Sequence, residues 1–242
     1  MQHLYEFLKI KHLPGKMVFG KVWGSRSHNT NKESSDWDFS GIYIGDTKRH
    51  LGMNPVQESF QNKEGQEKPD YSFHEVGKFC KLLLLGNPGI FEMLFTEIMY
   101  ISTPEWEELK ANRKRFLSKS VVRQYLGYAE GQLKRLVQSS YLHTKGGEYN
   151  EKWAYHLIRL LMDVEKIATG GCPVVWKDTG SNEHECLMNI RNEITTKQEV
   201  IDDSLRRVER INKQLLDSNL PERGDQEFLE EWLVGLRVVN SC

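Results

Sequence analysis

Nowhere in these 242 residues does an apolar run approach the roughly 20 positions that a membrane-spanning helix requires. The longest stretches, around Leu82–Leu85 and Leu157–Met162, are far too short, so no membrane partner is expected. Met1–Ile10 mixes Glu6 and Lys9 into an amphipathic pattern without a signal-peptide core, and a cytoplasmic location is the expectation. An excess of either charge is also missing. With 33 basic and 34 acidic residues the net charge is −1, which excludes a global basic field of the kind that announces nucleic-acid binding. Any site for a polyanion has to be local. Cysteine is scarce and scattered: Cys80, Cys172, Cys186 and Cys242 contain no CxxC pair. Cys172, His184 and Cys186 lack a fourth ligand at a zinc-like spacing, so free thiols are expected. What is present, 38% hydrophobic and 28% charged residues, fits a globular protein with a real core, in one domain or two small ones.

Hydrophobic periodicity changes along the chain. Leu4–Leu13 reads as a short helix stopped by Pro14-Gly15, Met17–Trp23 and Phe39–Ile44 as strands, and polar Ser25–Ser35 as a loop with at most one helical turn. Gln61–Lys68 reads as an exposed excursion. In Asp70–His74, Tyr71 and Phe73 face one side and Asp70, Ser72 and His74 the other. Helices follow over Glu75–Leu85 and Ile90–Phe95, then a last strand over Glu97–Ser102. Thr103-Pro104-Glu105 is a helix start, with a capping hydroxyl, proline at the first helical position and acid in the first turn. Four more helices are predicted over Val121–Gln138, Glu151–Thr169, Lys197–Leu216 and Gln226–Leu236. The chain is thus expected to be α+β: a mixed sheet with flanking helices over residues 1–102, followed by a helical bundle over 103–242.

Asp36 and Asp38 would share a strand face, since residues at i and i+2 point the same way. Two such carboxylates can hold divalent metal for phosphoryl displacement. In a chain with 34 acids the Asp-x-Asp pattern alone is weak. Its context strengthens it, because Gly24-Ser25 directly follows the Met17–Trp23 strand. Glycine lets a phosphate approach the backbone and the serine hydroxyl can hold its oxygens. By residues alone, this order is compatible with a nucleotide site and equally with a polar, hairpin-like connection. Lys152, His156, Arg159 and Asp163, at i, i+4, i+7 and i+11, share one helical face, which on its own reads as a solvated stripe.

Gly24-Ser25, ten intervening residues and Asp36-Trp37-Asp38-Phe39-Ser40-Gly41 together resemble the signature of the polymerase-β nucleotidyltransferase superfamily. Gly24-Ser25-Arg26-Ser27-His28, Lys78-Phe79, Gly86-Asn87-Pro88 with Glu92, and Lys152, His156 and Arg159 are similar to its branch associated with RNA ligases and RNA repair. The resemblance implies a metal-dependent transfer of a nucleoside monophosphate from an NTP to a hydroxyl, with release of pyrophosphate and an RNA or tRNA-like end as acceptor. It implies Mg²⁺ (or Mn²⁺) on Asp36 and Asp38, and a third acid that aids metal binding or takes the acceptor's proton; Asp70 is the choice and Glu58 the rival. It further implies that Gly24, Ser25, Arg26 and His28, together with Lys152, His156 and Arg159, meet the nucleotide. Many relatives have glycine where Asn29 stands. Asparagine is the next most tolerant residue of left-handed geometry, so such a backbone is expected there.

Other classes remain on the residues alone: a nucleotide-binding regulatory module without turnover, a transferase acting on a small molecule or protein, or a helical interaction protein. The preferred base, the acceptor and the oligomeric state are not encoded in any motif found. Lys110, Arg113, Lys114, Arg115, Lys119 and Arg123 form a local basic cluster that could track an RNA backbone or simply complement helix ends.

Overall fold

The computed structural model describes residues 2–62, 69–138 and 149–240. The expected excursion over Gln61–Lys68 therefore lies, from position 63 on, outside the described residues. Helix α1 (Gln2–Ile10) leads into strand β1 (Lys16–Trp23), a 3₁₀ turn (Gly24–His28) and strand β2 (Asp38–Ile44). Helix α2 (Thr47–Leu51), strands β3 (Ser59–Gln61) and β4 (Tyr71–Glu75), helices α3 (Val76–Leu84) and α4 (Pro88–Phe95) and strand β5 (Ile101–Ser102) complete the first part. Helices α5 (Pro104–Ala111), α6 (Lys119–Gln138), α7 (Glu151–Ala168), α8 (Asn182–Arg191), α9 (Lys197–Leu216) and α10 (Gln226–Val239) make up the second.

The sheet has the order β3-β4-β2-β1-β5. β1 runs antiparallel to β2 with Trp23 opposite Asp38, and β2 runs parallel to β4 with Phe39 beside Tyr71. β3 pairs antiparallel with β4, setting Ser59 opposite His74 and Gln61 opposite Ser72. The two faces divide as the alternation in β4 predicts. Phe39, Tyr43 and Phe73 join Leu4 and Phe7 of α1 in one apolar cluster, with Tyr71 packed on its rim. The opposite face carries Phe19, Ile42 and Ile44 into a larger cluster with α3, α4 and the later helices.

Local chemistry fixes the element ends. Thr103 caps α5 by accepting from the Trp106 N–H, with Pro104 in the first turn. Asn87 caps α4 by accepting from Ile90 N–H, and Glu75 caps α3 through Gly77 N–H. Three elements lie outside the sequence expectations. α2 buries no side chain and is held by an Asp46 cap, β3 has three residues, and α8 buries only Leu187 and Ile190. None offers the apolar periodicity from which helices and strands are read.

The apolar core continues across the expected boundary at residue 102. Phe19 of β1 stacks on Trp106 of α5 at 4.2 Å, and Phe79 of α3 meets the same indole at 5.5 Å. The same cluster extends through α6 and α7 to Leu236. Among the described residues no helix is long and apolar enough to cross a membrane. Trp106 is fully buried at the junction, so Trp106→Ala is expected to cost ~3–5 kcal/mol. Urea unfolding monitored by far-UV circular dichroism measures it; a loss below ~1 kcal/mol would place the junction outside the main core.

Candidate active site

β1 ends at Trp23, and Gly24 turns the chain with φ +67°. The turn is forced by crowding as well as by conformation: a Cβ at position 24 would sit 2.5 Å from Asp38 Oδ2. Only glycine admits that carboxylate at the head of β2. The 3₁₀ turn ends at Asn29, whose φ of 59° and ψ of 32° are left-handed, as its side chain tolerates. Ser35 and Asp36 are then tied back by Arg26, which donates to the Asp36 carbonyl at 3.1 Å and the Ser35 carbonyl at 2.7 Å. The guanidinium also stacks on Trp37 at 4.2 Å, and His3 of α1 packs against the same indole at 4.5 Å.

These contacts open a cleft of about 500 Å³ between the ends of β1 and β2 and the helices. Gly24, Ser25, Lys32, Ser34, Ser35, Asp36 and Asp38 line one wall; Glu151, Lys152, Tyr155 and His156 of α7 and Arg191 of α8 line the other. Asp36 precedes β2, which begins at Asp38, so the two carboxylates reach the cleft from a loop and a strand end. Asp70 does not line it. The Phe39 N–H donates to the Asp70 carbonyl at 2.9 Å, and the parallel register extends to set Asp70 beside Asp38. Its carboxylate accepts from Asn62 Nδ2 at 3.2 Å. Glu58 is at the other end of β3, opposite Glu75, and pairs with Lys81 at 3.6 Å.

Among the described residues no group of three His, Cys, Asp or Glu side chains is gathered as a metal site. The donor set in the cleft nevertheless fits a hard divalent ion. Magnesium takes one or two carboxylates and fills its remaining positions with water and substrate oxygens, and Asp36 and Asp38 supply two carboxylates on one wall of an open cleft. Cys172 and Cys186 are free thiols, and His184 donates through Nε2 to the Asn29 carbonyl at 3.0 Å.

Arg26, His28 and Arg159, expected at the nucleotide, are placed differently. Arg26 clamps the loop as described. His28 is buried, and its Nδ1 bonds the Val175 carbonyl at 2.9 Å, so Nδ1 carries the proton. Burial, followed by the Arg159 and Lys21 charges, holds its pKa well below the usual imidazole value. Arg159 is buried against Glu92 and lies 3.9 Å from Asp163. Burial opposes its charge, but Glu92, Tyr155 and Asp163 more than offset that, so its pKa is raised. Arg159 in turn donates to His156 Nδ1 at 3.2 Å. Desolvation by the cleft walls and then the Arg159 cation push His156 down to about 4. Where the residue opens to the cleft, the Arg159 donor fixed at Nδ1 keeps the imidazole neutral.

Beneath the cleft these groups form a buried charge cluster. Lys177 bridges Asp163 at 3.0 Å and Glu183 at 3.0 Å. Glu92, with a pKa that burial raises against the pull of Arg159, leaves Oε2 without a hydrogen bond among the described residues, 3.7 Å from His28 Nε2. Lys21 of β1 is fully buried, its Nζ makes no hydrogen bond among the described residues, and it sits 4.7 Å from the Trp23 ring centre.

Sequence reasoning missed Lys32, Tyr155 and Arg191. Tyr155 is legible as the neighbour of His156 on α7; Arg191 is not, because α8 buries only Leu187 and Ile190 and so lacks the apolar periodicity of a helix. Arg191 stacks over Tyr155 at 5.4 Å and its carbonyl accepts from Lys32 Nζ at 2.5 Å. Lys32, Lys152 and Arg191 form no salt bridge among the described residues. The basic cluster behaves in the opposite way. Lys110 and Arg113 pair with Glu97 at 3.0 and 3.6 Å, Arg115 pairs with Asp225 at 2.9 Å, and Arg123 pairs with Glu222. It is no free cationic track, since local acids neutralise most of it.

Comparison with known proteins places this geometry in context. The family described as RlaP, the RNA repair pathway DNA polymerase beta family, matches residues 1–233. No curated protein matches the chain.

Burial lowers the Lys21 pKa from 10.5 to about 7, with Glu92 opposing and Arg159 adding to the fall. Between those two values the unfolded chain binds a proton that the folded protein has shed, so this residue makes stability rise with pH. Lys21→Met is expected to remove that rise and to leave stability near pH 7 intact or higher. Urea midpoints taken from about pH 7 to about pH 9.5 test it; equal slopes for both proteins would refute the assignment.

Proposed function

The chain belongs to the RNA repair pathway DNA polymerase beta family, and from that premise we propose that it transfers a nucleoside monophosphate from an NTP to a hydroxyl at an RNA end. A polymerase-β-type nucleotidyltransferase in RNA repair is what membership supplies. The finer reading is carried by one observation: Gly24-Ser25, the carboxylates of Asp36 and Asp38, and three cations that form no salt bridge among the described residues converge on one cleft of about 500 Å³.

The charges divide by task. Lys32, Lys152 and Arg191 face a ligand that brings its own negative charge, and a triphosphate does so. Ser25 and the glycine-opened backbone beside it hold the β- and γ-phosphates. Asp36 and Asp38 would hold Mg²⁺ or Mn²⁺, with Asp70 beside Asp38 available to complete the set or to accept the acceptor's proton. The ion, when bound, neutralises phosphate charge and lowers the pKa of an acceptor hydroxyl. The acceptor oxygen forms a bond to the α-phosphorus, the bond from that phosphorus to the bridging oxygen breaks, and pyrophosphate leaves with the electron pair. His156, neutral and facing the cleft, offers a hydrogen bond to the leaving group. What the protein adds is positioning and fixed charge.

Purified protein incubated with Mg²⁺, each α-labelled NTP and RNA is expected to label the RNA. Asp38→Asn keeps the packing against Gly24 while removing the charge, and should lower transfer by at least ~100-fold, or ~3 kcal/mol in the barrier. Labelling of RNA at an undiminished rate by this variant would overturn the proposal.

A further inference from the structure

The sheet order sets a direction. Gly24 and Ser25 follow β1, Asp38 opens β2 and Asp70 precedes β4, all at the same end of the sheet. The cations of the cleft wall lie with Ser25 and the carboxylates. In phosphoryl transfer the attacking and leaving oxygens are roughly in line with the phosphorus between them. If pyrophosphate departs on the β1 side, the acceptor has to enter from the side of β4 and β3.

On that side the sheet face is polar and partly open. Ser40, Ser72 and His74 follow Asp38 and Asp70 along the same face, and β3 sets Gln61 and Ser59 beside Ser72 and His74. The Ser72 hydroxyl donates to Gln61 Oε1 at 3.4 Å, and the Ser59 hydroxyl lies 3.2 Å from His74 Nδ1. Gln61 is exposed, while Ser59, Ser72, His74 and Lys78 are half-buried. From α3, Lys78 reaches over this strip and donates to Ser59 Oγ at 2.7 Å. Lys78 forms no salt bridge among the described residues, whereas Lys81, three residues on, pairs with Glu58. A lysine held by a hydroxyl, in a hydrogen-bonded strip of half-buried serines and an exposed amide, matches a sugar–phosphate chain, with a cation for the phosphate and neutral groups for the ribose.

We propose that the face of β3 and β4 beyond Asp70 seats the terminal sugar–phosphate of the RNA acceptor, with Lys78 contacting a backbone phosphate. This rests on the transfer reading above, deepens it, and assigns the acceptor side of the same centre. Burial and the neighbouring Lys78 charge push His74 down to about 4, so at neutral pH its ring can donate and accept hydrogen bonds without adding charge.

The test uses the full chain, a 5′-fluorescein single-stranded RNA and α-labelled NTP. Lys78→Gln is expected to raise the KM and the Kd for RNA about tenfold and to reduce the salt slope of RNA binding by about 0.7, the share of one phosphate contact on a single strand. The KM for NTP should stay within about twofold, which also reports that the variant is folded. Lys78→Arg should restore RNA binding, and Lys81→Gln, which removes an equal charge three residues away, should not weaken it. Unchanged RNA affinity in Lys78→Gln, or an equal loss in Lys81→Gln, overturns the acceptor site. The two proposals fail separately. Wild-type protein that binds RNA through Lys78 but transfers nothing sinks the transfer reading alone. Transfer that ignores Lys78 sinks the acceptor site alone.

Discussion

The carboxylate of Glu92 and the guanidinium of Arg159 meet in an interior that excludes water, and the cleft wall takes its shape from that contact. A charge at this depth is tolerable only with a partner, and removing one partner of a buried pair typically costs about 3–5 kcal/mol. The pair therefore fixes the rotation of α7 against α4. With Arg159 turned inward, His156 lies one turn earlier at the cleft and Lys152 two turns earlier, both on the same stripe. One turn later Asp163 holds Lys177, which holds Glu183 at the start of α8, and α8 delivers Arg191 to the cleft at its far end. Such clusters stabilise little compared with apolar packing of the same volume; what they supply here is register.

That arrangement also joins the two halves of the chain chemically. His28 reaches Val175, Asn29 donates to the Lys177 carbonyl at 2.9 Å, and Thr30 shares a 2.7 Å hydrogen bond with Tyr155. The loop after Gly24-Ser25 is thus fastened to the helical part over a shared apolar core. A cleft whose walls are bonded along their base loses little entropy when a ligand draws them together.

The sheet and most helices were legible because their periodicities are strong. Tyr71 and Phe73 face α1 while Ser72 and His74 face the other way, as alternation requires, and Thr103-Pro104 starts a helix by plain capping chemistry. The left-handed Asn29 was legible for the same local reason. The destinations of Arg26, His28 and Arg159 were not. A charged side chain near a motif can meet a ligand or a partner, and the partners of His28 and Arg159, Val175 and Glu92, are brought close only by the tertiary fold. Lys21 was hidden in a strand that reads as apolar, and Arg191 at the end of a helix with two buried side chains.

Trp37 has an optical consequence. Its indole, 36% exposed, is held between the Arg26 guanidinium and the His3 ring, one residue from Asp36 and one from Asp38. Indole emission responds to the electric field across the ring, and the fixed charge nearest to it here is the stacked Arg26 cation, with an aspartate on either side in sequence. The motif thus carries its own chromophore, and a ligand that altered the charge at the two aspartates would shift the colour of its emission before any bond is made or broken.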